Sequence, residues 1–212
     1  MDDLLAFGLL SFVSLFAVVE PLGLMPIFIG MTAKLAPAQQ RSIARRACLV
    51  AFVTLVLFAL TGQLVFRFFG ISLESLKIVG GILFFMIGFE MLQAKHTRTA
   101  FDESKPEPDE QDVAVTPLGI PMIPGPGAIA SVTVRWNQAD VVPKQAAVLV
   151  SVALVILATL LILQGARRVA RFLGESGIKV LLRLMGLITM VIAVEFFFAG
   201  LTPIVQRMMR PE

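Results

Sequence analysis

Glu20-Pro21-Leu22-Gly23-Leu24-Met25-Pro26 interrupts an apolar run that extends from about residue 4 to residue 31. A run of that length is enough to cross a bilayer, because a spanning helix needs roughly 20 mainly apolar residues. Proline has no backbone N–H and collides with the preceding turn, at a cost of about 3 kcal/mol or more inside a helix. In hydrocarbon the carbonyls it releases find no water. A carboxylate flanked by two prolines and a glycine at this depth therefore reads as a break in a membrane helix. The main-chain groups freed there are suited to holding something polar.

A second cluster repeats the pattern. It begins Thr116-Pro117-Leu118-Gly119-Ile120-Pro121 and continues to Pro124-Gly125-Pro126-Gly127, so that six of the 12 prolines fall in the two clusters. Four prolines within ten residues cannot occupy one continuous helix. The expected structure is a half-helix, a short extended stretch, and a second half-helix starting near Pro126-Gly127, where proline suits the first turn. Gly127, Ala128 and Ile129 then present N–H groups at a positive dipole end that favours a carboxylate. Glycines at 125 and 127 leave the backbone open to close approach. The carbonyls before Pro121 and Pro124 suit an ammonium group or a cation. With Pro21, Gly23 and Pro26 breaking the first helix from the opposite side, donors and acceptors converge in a way that suits a zwitterion. The candidate substrate-binding set is Glu20, Pro21, Gly23, Pro26, Pro117, Gly119, Pro121, Gly125, Pro126, Gly127 and Ala128. The competing reading is a pair of proline kinks that let helices bend round one another.

Outward from the clusters, composition excludes an ordinary soluble domain. The 212 residues are 57% hydrophobic and 16% charged, with a mean hydropathy of +0.87. Six apolar runs stand out, at about 4–31, 47–66, 78–93, 113–134, 145–165 and 180–203. The pattern predicts an all-α polytopic membrane protein with six transmembrane segments, its first and fourth helices discontinuous, and the bilayer as its principal partner. Asp2 and Asp3 stand where a cleavable signal would be basic. Cys48 is the only cysteine and His96 the only histidine, so no metal site or cofactor is expected, and no nucleophile–base motif marks a catalytic residue. A net charge of +3 with basic residues flanking the spans gives no nucleic-acid signature. Twelve of the 18 Lys and Arg residues fall on one set of alternate loops. By the positive-inside rule this predicts a multi-pass protein of the cell (inner) membrane with both termini outside.

The whole chain reads as one membrane domain, with a first three-helix repeat over 1–93, a polar inner-side linker over 94–112 and a second repeat over 113–212. Each half begins with Pro-Leu-Gly, at 21 and 117, and later carries a turn, Phe69-Gly70 or Leu173-Gly174. The last helices align Gly81 with Gly186, Gly88 with Ala193 and Glu90 with Glu195. Three spans per half invert the second copy, giving a 3+3 inverted repeat of the kind that surrounds a transporter's midplane site. Intramembrane carboxylates are functional candidates. Glu20 suits an ammonium group or a coupling ion, H+ or Na+. Glu195 stands between a coupling and an interfacial role, and Glu90 reaches the interface beside Lys95. Gly80, Gly81, Gly88 and Gly186 suit close helix packing. Gln63, Thr54, Thr61, Ser131 and Thr133 suit a pathway or polar packing.

The chain resembles the MarC family of bacterial and archaeal membrane proteins. The resemblance rests on Pro21-Leu22-Gly23 with Pro26-Ile27-Phe28, and on Phe69-Gly70-Ile71-Ser72 leading to Gly80-Gly81. It rests further on Pro117-Leu118 with Pro121 and Gly125-Pro126-Gly127, and on Arg183-Leu184-Met185-Gly186-Leu187. The resemblance implies six helices in a 3+3 inverted repeat and, as some members are small neutral amino-acid transporters, transport of glycine or alanine. Three positions depart from the family's pattern: Glu20 replaces Asn or Asp, Glu195 replaces Gln, and Pro124 replaces Ala. The expected function is thus secondary transport of small neutral amino acids, without enzymatic activity. Alternatives are an exporter of another small polar solute, a membrane enzyme using a carboxylate pair such as Glu20 and Glu195, or a passive channel.

Overall fold

The computed structural model describes residues 2–32, 35–93 and 122–209. Helices make up the described residues, with no strand among them: α1 (Asp2–Val19), α2 (Pro21–Thr32), α3 (Pro37–Phe68), α4 (Leu73–Leu92), α5 (Pro126–Gln138), α6 (Val142–Gly174) and α7 (Ser176–Met209). The all-α membrane expectation holds. Five spans are long and apolar enough to cross a bilayer: α1 with α2 as one 30-residue span, then α3, α4, α6 and α7. The expected fourth segment, 113–134, is described only from Met122 onward, and α5 with 13 residues covers about 20 Å, short of a full crossing. Pro117, Gly119, Pro121 and the 94–112 linker lie outside the described residues.

Local chemistry sets the helix ends. Pro37 occupies the first turn of α3, while the Gln39 side chain accepts the Ala36 N–H at 2.9 Å. Ser72 caps α4, its hydroxyl oxygen accepting the Ser75 N–H at 3.1 Å. The two turns matched in the sequence behave alike, with Gly70 at φ 64° and Gly174 at φ 65°. Neither has another atom within 4 Å of where a Cβ would stand. Substituting either with alanine should therefore cost only the left-handed backbone, about 1–2 kcal/mol. The check is a lowered melting temperature in detergent for Gly70→Ala and Gly174→Ala, set against Gly165→Ala, a helical glycine with equally open surroundings and no left-handed backbone.

Small residues make up much of the inward face of α3, while many large apolar side chains of the bundle point outward. On α3 the buried stripe is Ala44, Ala47, Cys48, Ala51, Leu55, Ala59 and Gly62, a 3-to-4-residue period that marks one helix face. Leu49, Val53, Leu57 and Leu64 on its other side are exposed, the last by 71%. That surface faces lipid. Because lipid tails are as apolar as leucine, helix contact here depends on close packing through small residues. Thr54 and Thr61 turn their hydroxyls back to their own helix, donating to the Val50 and Leu57 carbonyls.

The tightest seam is between α4 and α7, which run antiparallel. A Cβ added to Gly88 would fall 2.8 Å from the Gly186 carbonyl oxygen, and one on Gly186 would fall 2.7 Å from that of Gly88. Gly81 meets the Ala193 carbonyl at 2.7 Å in the same sense, and Gly200 meets that of Glu74 at 2.5 Å. Seven residues along α4 correspond to seven residues back along α7, so the register is uniform. Gly80 abuts Pro126 at the start of α5. All four glycines read as packing positions serve that purpose.

Ion pairs gather helix ends at one end of the bundle. Lys144, near the start of α6, lies 3.2 Å from Asp3 at the start of α1 and 3.1 Å from Asp140. The hydrogen bond from Lys144 holds the Asp140 carboxyl below its ordinary value. Arg207 of α7 bonds Glu74 of α4 at 2.8 Å. Lys144 thus ties the start of α6 to the start of α1, and Arg207 ties the end of α7 to the start of α4.

Candidate functional site

The first helix breaks at Glu20 itself. Its φ of 49° makes it the one described non-glycine residue in the left-handed region, a conformation costing about 1–2 kcal/mol for an L-residue. The Glu20 N–H still closes α1 onto the Phe16 carbonyl, while the Glu20 carbonyl accepts the Gly23 and Leu24 N–H groups and so starts α2. Pro21 occupies the first position of α2, where its missing N–H is harmless to α2. It leaves the Ala17 carbonyl without the donor a continuous helix would supply.

This refines the sequence reading. The sequence predicts a break shared by Pro21, Gly23 and Pro26, but α2 runs unbroken through Pro26, which is buried within it. Gly23 serves differently again. A Cβ there would fall 3.0 Å from Glu20 Cδ, so the glycine leaves room for the carboxyl to fold back over the first turn of α2.

The folded-back carboxyl meets the far end of the chain. The Thr189 hydroxyl of α7 lies 2.9 Å from Glu20 Oε2 and also 2.9 Å from its own Met185 carbonyl. One hydroxyl proton can satisfy only one of these acceptors. When it goes to Met185, a proton on Glu20 completes the other contact. Glu20 Oε1 is buried and is the one such side-chain atom without a hydrogen-bond partner among the described residues. Glu20 is among the residues lining a cavity of ≈ 30 Å³, whose other walls come from α1, α2, α4, Met122 and Thr189. At about 10–15 Å³ for the smallest water site, the space suits a water, an ammonium group or a small cation. Glu20 is the only ionisable residue in the lining, and no cluster of potential metal ligands occurs among the described residues.

The second proline cluster is described from Met122 onward. Met122, Ile123, Pro124 and Gly125 are buried and lead into α5, which starts at Pro126 as the sequence predicts. The Ile129 N–H is not available to a ligand, contrary to expectation, because it donates to the Gly125 carbonyl at 3.0 Å. Gly127 and Ala128, at the second and third positions of α5, have no intrahelical acceptor. A Cβ on Gly127 would lie 2.8 Å from Val18 Cγ1 and 2.9 Å from Phe196 Cε1. Those two side chains cover the start of α5, and Val18 also lines the Glu20 cavity. The break at Glu20 and the start of α5 are neighbours.

Of the predicted set, Glu20 and Gly23 line the cavity. Pro21, Pro26, Gly125, Gly127 and Ala128 are buried and Pro126 is half-buried, but none of them lines it, while Pro117, Gly119 and Pro121 lie outside the described residues. Glu195 is exposed on α7 and does not join Glu20. Glu90 is half-buried. Thr189 was missed, although one signal was readable: it shares the helix face of Gly186 and Ala193, where a polar group has no solvent to face.

Comparison with known proteins agrees with this architecture. The family model described as "MarC family integral membrane protein" matches residues 5–205. The UPF0056 membrane protein YvbG of Bacillus subtilis is 38% identical over 193 residues, covering 90% of this chain and 92% of that one. A UPF0056 membrane protein of Pyrococcus abyssi is 37% identical, covering 90% and 92%, and one of Archaeoglobus fulgidus is 36% identical, covering 93% of each. No solved structure matches.

Proposed function

The chain belongs to the MarC family of integral membrane proteins, and on that footing we propose that it is a secondary transporter of small neutral amino acids such as glycine or alanine, working by alternating access. The observation that carries this reading is the meeting of two helix starts beside a half-buried carboxylate. Glu20, one of whose carboxyl oxygens has no hydrogen-bond partner among the described residues, lines a cavity of ammonium size, and Gly127 at the start of α5 packs against Val18 and Phe196. Glu20 takes the substrate ammonium, or a coupling H+ or Na+ in its place, and the start of α5 takes the carboxylate. A whole amino acid needs more than ≈ 30 Å³, so the arrangement corresponds to a closed state in which Val18 and Phe196 must swing aside.

A 3+3 inverted repeat of six segments fits the packing. Five spans long and apolar enough to cross, with α5 as half of a sixth, supply the segments this reading needs. Glu20 and Gly125 each precede a first-position proline. The contacts Gly88–Gly186 and Gly81–Ala193 exchange with one another when the halves aligned in the sequence are swapped. The orientation we propose is that of the positive-inside rule in the cell (inner) membrane, with both termini outside.

Proteoliposomes loaded with unlabelled glycine or alanine should accumulate the labelled amino acid by counterflow. If no amino acid competes while another small solute does, the exporter alternative replaces this reading. Turnover by detergent-purified protein, without a second compartment, replaces it with an enzyme, and single-channel currents with a pore.

A further inference from the structure

A second, larger cavity of ≈ 300 Å³ opens at the end of the bundle that carries the α3–α4 turn. That volume is at the lower limit of ordinary small-molecule sites. Its lining combines Gln63 and Arg67 from the last turns of α3, Ser72 from the turn, and Thr133 and Asn137 from α5. Two of these polar groups are committed. Ser72 caps α4, and the Thr133 hydroxyl is directed at the Ile129 and Phe58 carbonyls, 2.9 and 3.2 Å away. The side chains of Gln63, Arg67 and Asn137 have no hydrogen-bond or ion-pair partner among the described residues. No carboxylate lines the space, and the nearby Glu74 is engaged by Arg207. The cleft therefore presents one uncompensated guanidinium flanked by two amides.

That set has a defined chemistry. Guanidinium forks match a carboxylate through two parallel N–H bonds. Each primary amide offers donors to the same carboxylate and an acceptor to an ammonium. At its inner limit the cleft closes where α3 and α5 touch. A Cβ on Gly62 would lie 2.6 Å from Thr133 Oγ1, and Thr133 stands about 10 Å along α5 from its first residue.

We propose that this cleft is an entry site that captures the carboxylate of a small amino acid, with Arg67 as anchor and Gln63 and Asn137 as flanking contacts, outside the Gly62–Thr133 constriction. The proposal rests on the transport reading for the identity of the solute, but its test reads binding alone. Cys48 is buried, so a Cys48→Ala background leaves Asn137→Cys or Gln63→Cys as the one reactive thiol. Reconstituted protein is treated with a membrane-impermeant maleimide in the presence of glycine, alanine, acetate or glycinamide. Glycine, alanine and acetate should slow labelling, glycinamide should not, and adding Arg67→Gln should remove the protection. In counterflow, Arg67→Gln should raise the half-saturating glycine concentration about tenfold at unchanged maximal rate, as loss of one charge-assisted pair does. Protection by glycinamide equal to that by glycine, absence of protection, or protection that survives Arg67→Gln overturns the site. Protection without counterflow keeps the site and removes the transport reading. Counterflow without protection does the reverse.

Discussion

Gly186→Val should leave little folded protein in the membrane, and Gly88→Val should do the same. At both positions the atom in the way is a backbone carbonyl of the opposite helix, less than 3.0 Å from the new Cβ. A side chain can rotate out of such a contact; a carbonyl within a helix cannot move without shifting the helix. Overpacking a well-ordered core costs about 1–3 kcal/mol and occasionally more, and a valine adds two methyls beyond the atom that already collides. We expect more than about 3 kcal/mol at each site, comparable to the loss of a large buried side chain. Thermal unfolding with size-exclusion chromatography in mild detergent is the measurement. Gly165→Val, which has open space around it, should elute and melt close to wild type. If Gly186→Val behaves like Gly165→Val, the α4–α7 seam described here does not exist.

Glu20→Gln should leave the fold intact and remove transport. Glutamine has nearly the same shape, fits over Gly23, and can donate its amide to Thr189 Oγ1 while that hydroxyl serves Met185. Packing and hydrogen bonding survive; the charge does not. Truncating one partner of a buried, hydrogen-bonded charge pair costs about 2–5 kcal/mol, so counterflow affinity should fall by at least about thirtyfold. The melting temperature separates this from a structural role, since it should hold. Thr189→Val differs, because it deprives a buried carboxyl of its one side-chain partner, at about 1–3 kcal/mol of stability. Wild-type counterflow in a folded Glu20→Gln protein would falsify the assignment of the ammonium to this carboxylate.

Much of this organisation was readable in the chain because the bilayer makes its demands locally. A segment either has enough apolar residues to cross or it does not, and a proline at depth withholds an N–H whatever surrounds it. Five of the six spans, an interruption of the first helix near 20, the start of α5 at Pro126 and the packing glycines follow from that. What escaped was long-range. Thr189 lies 169 residues from its partner, and no periodicity announces such a pairing. Glu195, six residues further along α7, is about 120° round the helix from Thr189, so the same geometry that brings Thr189 to the cavity turns Glu195 away. Pro26 misled for a local reason. It removes one hydrogen bond of α2, a loss that a membrane helix tolerates when its neighbours keep it packed.

The uniform antiparallel register of α4 against α7 has a mechanical meaning. Carbonyls seated in glycine notches at three levels, spread over about 21 Å of helix, forbid the pair from sliding or rolling without unlocking every notch together. These two helices act as a keel. Any motion that opens the interior first to one side and then to the other must be carried by the remaining elements rocking against it, and α1–α2 and α5, already jointed at Glu20 and Gly125, have the freedom to do so.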